Sequence, residues 1–413
     1  MTAQLLDDPV RTRSPLTGVR VVECAGYVAG PSGGMALAGM GAEVIRVDPI
    51  GGAPDRGRRP LAPSGASLYW AGLNKGKRSV VLDLTSGRGR ELLAALVTAP
   101  GENCGLLLHN RSGRSWLSDH VLRARRPDLI HLVVQGRRDG TPALDYTVNA
   151  RTGIPYLTGA ASTSGPVNHV LPAWDLLTGA HVATALLAAL WRRQRDGAGA
   201  HLRVALEDVA IAAVADLGWL AEAQLHGERG RDGNFVHGTY GDVLTTRDGG
   251  HVVVLAMTGR QWRALQAATG TRAVFDSMSA ALAIDLDHED GRYANRRLIS
   301  AVLGRWAADR DLADAVSALE SAGALHAPYG TVTDLAASLR DGDGVVSEVE
   351  HPGTGPVLTA HSPVRWDDDP PPPAATAPEL GADTAVVLSS VLGLTDREIG
   401  RLVTDGVAAG PTP

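Results

Sequence analysis

The sequence contains little cysteine and few aromatic residues. Two Phe and two Cys occur among 413 residues, and aromatic residues make up 4% of the chain. Cys24 and Cys104 alone cannot build a disulfide framework or a thiolate metal site. We therefore expect cores of Ala, Val and Leu, and the 49 Gly indicate that many tight turns join the elements.

The sequence also lacks a signal-peptide core and any run that predicts a membrane span. The opening stretch Met1–Ser14 contains charged residues and Pro but no apolar core. We expect a cytoplasmic protein without a membrane partner. The formal net charge of -6 argues against nucleic acid as the main partner. Arginine clusters favour solvated helix faces, although one or two could hold the phosphates of a nucleotide-like cofactor: Arg56, Arg58 and Arg59; Arg123, Arg125 and Arg126; Arg192, Arg193 and Arg195.

The length of the chain favours two domains, since one ordinary core is smaller. The first third alternates short β-rich runs with helical patterns, which predicts βαβ units and a parallel sheet. The predicted strands are Val19–Glu23, Glu43–Val47, Ser79–Leu84, Gly105–His109 and Leu129–Val134.

The middle of the chain has a different pattern. A long apolar helix is predicted at Leu176–Trp191, and a second helix at Asp208–Leu225. A hairpin and further helices then indicate a smaller α+β domain between about residues 230 and 324. Later, Trp366–Pro373 is a Pro-rich stretch typical of an extended connector.

The segment Ala29–Gly34 follows the first predicted strand, where a dinucleotide-binding fold places its phosphate loop. Its spacing is not G-x-G-x-x-G, and Pro31 lies in the middle. Asp48 ends the second predicted strand, where an acid that binds ribose would lie. An NAD-dependent oxidoreductase is therefore the runner-up hypothesis, while free N–H groups at a helix start favour an anionic or carbonyl ligand.

Several strings, in order along the whole chain, resemble the family III (CaiB/BaiF) CoA-transferases. They are Pro15–Glu23, Ala29–Pro31, Gly41–Asp48, Leu73-Asn74 with Gly76–Val80 and Leu82–Leu84, Arg126–Ile130, Asp175-Leu176 with Thr178-Gly179, Thr246–Gly249, Leu380–Thr384 and Gly393–Thr395.

The resemblance implies an α/β fold with a large Rossmann-like domain that both chain ends complete. The large domain would comprise residues 1–229, a small α+β domain residues 230–324, and a C-terminal return segment residues 325–413. The resemblance also implies an interlocked homodimer. The substrate would be an acyl-CoA, and CoA would be part of that substrate, with no permanently bound cofactor and no metal.

The family's chemistry needs a carboxylate that can hold an acyl group as an anhydride and then CoA as a thioester. The resemblance places this carboxylate at Asp175, where a bare sequence reading would see a helix N-cap. Asp145 is a second acidic candidate, and a turn or capping role is an equal alternative. Arg123 and Leu144 stand where racemase relatives carry His, so racemisation is disfavoured.

The resemblance also implies which residues contact CoA. One group lies after the first strand and another after the third, with Asn110 and its neighbour after the fourth. Arg111 and Arg114 could clamp a carboxylate or phosphate, or could be exposed loop charges. The full predicted CoA set is Tyr27, Val28, Ala29, Leu82, Asp83, Leu84, Thr85, Asn110 and Arg111.

Three strings are similar to a branch of the family that moves CoA between the C1 and C4 carboxyls of mesaconyl-CoA (2-methylfumaryl-CoA): Asp145–Gly153, Pro166–Asp175 and Gly233–Gly241. This similarity favours transfer within one diacid. Intermolecular transfer to a free acid and a non-catalytic CoA-binding protein are the alternatives. Candidates for holding the free carboxylate are His169, His237, Tyr240 and Arg114, and each could instead be structural.

Overall fold

The structure, a computed structural model, describes residues 14–111, 113–339, 344–365 and 374–411. It divides into two compact units. The first comprises the described chain up to Thr152, Val170–Leu220, and the described chain from Leu339 on. The second comprises Gly153–His169 and Ala221–Ser338. The Pro-rich connector and residues 1–13 of the opening stretch lie outside the described residues.

A sheet forms the centre of the first unit. With strands numbered in chain order, its described strands lie in the order β12-β3-β2-β1-β4-β5-β6. Their bounds are β1 Arg20–Cys24, β2 Glu43–Asp48, β3 Arg78–Leu82, β4 Leu106–His109, β5 Ile130–Gln135, β6 Ala200–Ala205 and β12 Ala408–Ala409. All neighbours pair in parallel except β12, which runs antiparallel to β3.

The central strands are apolar because helices cover both faces of a parallel sheet. Val21, Ile45 and Leu107 are completely buried. The helices of this unit are α1 Ala29–Gly39, α2 Leu68–Leu73, α3 Gly87–Thr98, α4 Asp119–Arg123, α5 Asp145–Asn149, α7 Ala173–Asp196, α8 Leu206–Asp216, α16 Thr384–Leu392 and α17 Asp396–Thr404. A separate antiparallel pair is formed by β10 Val346–His351 and β11 Gly355–Ala360.

The C-terminal part of the chain returns to the edge of this sheet. The Asp383 carboxylate accepts a hydrogen bond from the backbone N–H of Ser79 (2.8 Å), and the Thr384 hydroxyl accepts one from the N–H of Val81 (3.1 Å). These bonds and the β12 pairing satisfy backbone groups of β3 that would otherwise be an open sheet edge. The predicted fold class is confirmed, including the contribution of the C-terminal part to the large sheet.

Helix α7 is long and apolar enough, by length and composition, to cross a membrane. We did not expect such a run from the sequence. Val182 and Leu186 are fully buried, and the helix packs against α1, α8, β5 and β6. One side of α7 is therefore buried in the first unit, and the opposite side is exposed.

The second unit has its own hydrophobic core, in which Trp262, Phe275 and Tyr240 pack together. Its strands β7 Tyr240–Thr245, β8 His251–Ala256 and β9 Leu325–Pro328 form an antiparallel sheet. Its helices are α6 Ile154–Leu157, α10 Gly259–Thr269, α11 Arg272–Leu282, α12 Glu289–Ala294, α13 Arg296–Ala308, α14 Leu312–Ser321 and α15 Val332–Ser338, and α9 Trp219–His226 spans the boundary between the units.

Two features of the organisation differ from the sequence interpretation. The segment Gly153–His169, predicted to belong to the large domain, groups with the second unit, which ends at Ser338 instead of near residue 324. The predicted helix Asp208–Leu225 is two helices, α8 and α9. Gly218 lies between them with φ +78°, a left-handed conformation that ends an α-helix.

Candidate functional site

The first turn of α7 carries Asp175. Asp145, at the start of α5, is 2% exposed, and one of its carboxylate oxygens accepts hydrogen bonds from the backbone N–H groups of Trp174 (2.8 Å) and Asp175 (3.0 Å). The Trp174 indole N–H donates to the Asn149 side chain (3.1 Å). Asp145 therefore caps α7 from a neighbouring helix, which is the structural role that the sequence left open.

The side chain of Asp175 is partly buried next to a second carboxylate. The pKa of Asp175 is raised from 3.8 to about 7, and burial is the largest cause. The negative charge of Asp145 contributes to the rise, and the positive charge of Arg58 opposes it. A carboxyl group with such a pKa is a stronger base and nucleophile than an ordinary one, and about half of it is ionised at neutral pH.

Close packing of α1 against α7 brings the start of α1 beside Gly179, one turn along α7 from Asp175. A Cβ atom on Gly33 would lie 2.7 Å from Val182 and 3.0 Å from the Gly179 carbonyl oxygen, and one on Gly179 would lie 3.0 Å from the Ala29 carbonyl oxygen. Glycine is required where helices approach this closely. The start of α1 and the first turns of α7 are thereby neighbours.

The start of α1 offers unpaired donors. The N–H groups of Val28, Ala29 and Gly30 donate to no acceptor in the described part of the chain, and the first intrahelical bond is made by Ser32 to the Val28 carbonyl (2.8 Å). Free N–H groups and the positive end of the helix dipole favour an anionic or carbonyl oxygen here. These free donors agree with the expectation that the loop before α1 binds an anionic or carbonyl group, although its glycine spacing is not that of a dinucleotide-binding motif.

Tyr27, directly before these donors, has φ +68°. A non-glycine residue in this region is strained by about 1–2 kcal/mol and needs support from its surroundings. Support comes from Asp55, which is 1% exposed and accepts the Tyr27 N–H (2.9 Å). Asp55 in turn accepts from Arg46 (3.1 Å), whose guanidinium also binds Asp48 at 2.9 and 3.0 Å.

Asp48 was the candidate ribose-binding acid of the oxidoreductase hypothesis. It is 2% exposed and both of its carboxylate oxygens accept from Arg46, so it presents no oxygen to a ribose. The observation removes the main support for that hypothesis.

The Arg46 network continues to a buried Lys77, which donates to Glu23, Asn74 and the Pro31 carbonyl at 2.8–2.9 Å. Burial lowers the pKa of Lys77 to about 8 and raises that of Glu23. Because Pro31 lies in the first turn of α1, the network ties the start of this helix to strands β1, β2 and β3.

Two residues that sequence reasoning did not assign to the acyl centre are Arg58 and Tyr69. The Arg58 guanidinium lies over the rings of Tyr27 (5.6 Å to the centroid) and Tyr69 (5.2 Å). The pKa of Tyr69 is raised to about 12, mainly by burial. Asp175 and Tyr146 also raise this pKa, whereas the positive charge of Arg58 lowers it. The arginine cluster was noted from the sequence, but no local signal distinguished Arg58 within it.

The predicted CoA set is only partly exposed. Tyr27 is 40% exposed, whereas the side chains of Leu82 and Leu84 are buried in the core of the first unit. Any contact from that segment would therefore involve its backbone or Asp83 and Thr85, which are hydrogen-bonded to each other (2.6 Å). The Asn110 side chain accepts a hydrogen bond from the Gly26 N–H (3.4 Å) and donates one to the Gly26 carbonyl (3.2 Å). Ser112 lies outside the described residues.

Arg111 and Arg114 differ in their surroundings. Arg111 is partly buried, and its positive charge opposes the rise that burial causes in the pKa of the Cys24 thiol, while Arg114 is exposed. No group of His, Cys, Asp and Glu that could hold a metal ion occurs among the residues described.

The remaining predicted carboxylate ligands lie in the second unit. His237 contacts Asp232 (2.9 Å) and the Tyr293 hydroxyl (2.9 Å), and Arg296 also donates to Asp232 (3.0 Å). Tyr240 is completely buried, and its hydroxyl shares a hydrogen bond with Ser300 (3.0 Å), so Tyr240 packs the core and has no surface for a ligand. His169 is partly buried at the end of Gly153–His169.

The chain is similar to known proteins in sequence and, separately, in fold. A 2-methylfumaryl-CoA isomerase of Chloroflexus aurantiacus is 44% identical over 401 residues, which cover 96% of this chain and 98% of that protein. A succinyl-CoA:mesaconate CoA-transferase of Haloarcula hispanica is 29% identical, with 90% and 95% covered. A CAIB/BAIF family protein from Brucella suis has the same fold, with a TM-score of 0.75 at 24% identity and 92% and 99% covered.

The sequence model of CoA-transferase family III matches residues 16–384. This match covers both units and includes Asp175 and the start of α1. The resemblance identified in the sequence is confirmed: the chain belongs to the family III CoA-transferases.

Proposed function

We propose that this enzyme moves CoA between the C1 and C4 carboxyls of 2-methylfumaryl-CoA (mesaconyl-CoA), with Asp175 as the nucleophile. The observation that carries the proposal is the setting of Asp175, a carboxyl group with its pKa raised to about 7 at the start of α7. The substrate is supported by the 2-methylfumaryl-CoA isomerase that is 44% identical along nearly the whole chain.

The first half of the reaction transfers CoA to the enzyme. The ionised Asp175 attacks the C1 thioester carbonyl, which forms a mixed anhydride and breaks the bond to the CoA thiolate. The thiolate then attacks the aspartyl carbonyl and releases the C1 carboxylate. CoA is now held as a thioester of Asp175, and no proton is gained or lost.

The second half runs through the other carboxylate. The C4 carboxylate attacks the aspartyl thioester, which forms a new anhydride and again frees the thiolate. The thiolate attacks the C4 carbonyl, and Asp175 is restored as a carboxylate. Because donor and acceptor are one molecule, holding the free diacid in place converts a bimolecular step into an intramolecular one.

The start of α1 fits the oxyanion of each tetrahedral intermediate. Its unpaired N–H groups are fixed before the reaction begins, and donors of this kind stabilise charge that develops in the transition state. Packing through Gly33 and Gly179 keeps these donors beside the first turns of α7.

The decisive experiment incubates the enzyme with the C1 thioester and isotopically labelled free mesaconate. We expect C4 thioester to form without label entering either thioester. Asp175→Asn should reduce turnover at least about 10³-fold, because a carboxamide forms no anhydride. Full activity of Asp175→Asn would remove the mechanism.

Intermolecular transfer is the second candidate, and the similarity to a succinyl-CoA:mesaconate CoA-transferase favours it. Label that enters the thioester in the same experiment would establish it. CoA binding without any turnover would instead indicate a non-catalytic CoA-binding protein.

We also infer a cytoplasmic homodimer that needs no permanently bound cofactor. The chemistry requires a carboxylate and a thioester alone, so CoA enters and leaves with the substrate. Support for the dimer comes from a row of exposed apolar or small side chains along α7, which ends at Trp191 with 64% of its surface exposed. His169, His237 and Arg114 stay predictions for holding a carboxylate.

A further inference from the structure

Arg58 is an exposed charged side chain of the first unit whose guanidinium lies over two aromatic rings. Its guanidinium makes no hydrogen bond and no ion pair with any residue that the structure describes, although Arg46 and Lys77 nearby are fully paired. An arginine that only stabilises the fold is expected to bind a carboxylate or carbonyl. Arg58 instead rests on two aromatic rings.

The loop around Arg58 is well supported. The Ser67 hydroxyl donates to the Arg58 carbonyl (2.5 Å) and also accepts the N–H of Trp70 (3.0 Å) at the start of α2. Tyr69 belongs to that same helix turn. The strained backbone at Tyr27 is held by Asp55, so hydrogen bonds support the backbone near each of the two rings that face Arg58.

Contacts lead from this arginine to the reacting carboxyl group. Tyr27 precedes the start of α1, the Ala29 carbonyl lies against Gly179, and Gly179 is one turn along α7 from Asp175. The charge of Arg58 lowers the pKa of Asp175 against the larger effect of burial, which agrees with this proximity. The contacts and the effect of its charge place Arg58 in the neighbourhood of Asp175.

We propose that Arg58 binds the free carboxylate of the substrate and thereby selects dicarboxylic acyl-CoA thioesters over monocarboxylic ones. The inference rests on the proposed function and assigns the residue that recognises the diacid. A guanidinium binds a carboxylate through two parallel hydrogen bonds, and the ring stacking orients its plane before the substrate arrives. While CoA is on Asp175, the clamp retains the diacid by holding its C1 carboxylate in place of the C4 carboxylate, which frees the C4 carboxylate to attack.

The test compares two CoA donors in a single turnover. One is mesaconyl-C1-CoA, and the other is (E)-2-methylbut-2-enoyl-CoA, in which a methyl group replaces the free carboxylate. Intact-mass spectrometry measures the rate at which each donor loads CoA onto Asp175. Loading is measured well above the pKa of Asp175, where this group is ionised with and without Arg58. Under that condition Arg58→Met should slow loading from the diacid donor about 10- to 100-fold, the range expected for a charge-assisted pair, and change loading from the monocarboxylic donor less than about threefold.

Two further variants sharpen the test. Arg58→Lys should recover part of the preference for the diacid, because it keeps the charge but loses the two-bond geometry. Arg59→Met removes the same charge from the same exposed loop and should leave the preference unchanged.

Equal slowing of both donors by Arg58→Met would overturn the proposal, since it would mean that Arg58 acts on CoA or on Asp175 itself. An unchanged preference would overturn it as well. Failure of the proposed function gives a different result: the wild-type enzyme would then load CoA from neither donor.

Discussion

At the residue scale, Asp175 must be ionised to attack a thioester. Since burial raises its pKa to about 7, the ionised fraction falls as the pH drops below 7. We expect kcat/KM to decrease about tenfold per pH unit on the acid side of that value and to level off above it. A pH profile of kcat/KM, measured with substrate well below saturation, reports this group in the free enzyme.

Two neighbouring charges shift the pKa of Asp175 in opposite directions. Asp145→Asn removes the neighbouring negative charge but keeps an oxygen to accept from Trp174 and Asp175, so its acid limb should move to lower pH. Arg58→Met removes the opposing positive charge and should move the limb to higher pH. An acid limb near pH 4 in the wild-type protein would contradict the raised pKa of Asp175. Limbs at the same pH in all three proteins would show that another group controls the profile.

The sequence indicated the position of Asp175 because the family places its carboxylate directly before a long Ala/Leu helix. Asp145 was left between two roles, and only its distance to two backbone N–H groups shows the capping bond. Arg58 and Tyr69 could not be assigned to the acyl centre, because they are brought to it by a loop between β2 and β3. No period or spacing in the sequence encodes that approach.

At the element scale, the site depends on how closely α1 lies against α7. Gly33→Ala would place a methyl group 2.7 Å from Val182 and 3.0 Å from a backbone oxygen, which forces the helices apart. We expect a loss of about 1–3 kcal/mol in unfolding free energy. The loss in kcat/KM should exceed tenfold even where the variant is fully folded, because the α1 donors move away from Asp175.

Gly39→Ala is the matched control in the same helix. Its methyl group would meet Ser362 at 3.6 Å, an ordinary contact, so stability should stay equal or rise by up to about 1 kcal/mol. Thermal unfolding and kcat/KM of both variants separate the two effects. Normal activity of Gly33→Ala would show that the start of α1 need not be fixed at this distance.

The elements themselves were predicted best where apolar runs are long. The parallel strands β1 to β5 lie within two residues of their predicted starts, because buried strands give continuous Val, Ile and Leu runs. The β10–β11 hairpin was not predicted. Its two short strands alternate buried and exposed residues and have no continuous apolar run, and Gly353 and Gly355 form the turn between them. The break between α8 and α9 depends on one left-handed glycine within an otherwise helical pattern.

At the scale of the whole molecule, an exposed apolar surface on α7 and α8 needs a partner. Leu177, Ala180, Thr184, Ala188 and Trp191 recur at helical spacing on the solvent side of α7. On α8 and directly after it, Ile211 and Leu217 are 49% and 64% exposed. A large apolar patch of this kind marks an interface, and a second copy of the chain is the partner we expect.

Sedimentation velocity of the purified protein, without detergent, should show a dimer across micromolar concentrations. Trp191→Glu places a charge in the apolar row and should weaken association at least tenfold while the far-ultraviolet circular dichroism spectrum is unchanged. Arg195→Glu, one turn further along the exposed side, is a control for charge alone, since it lies beyond the apolar row. A wild-type protein that sediments as a monomer, or that requires lipid or detergent to stay dispersed, would contradict the dimer, and in the second case the apolar row would face a membrane.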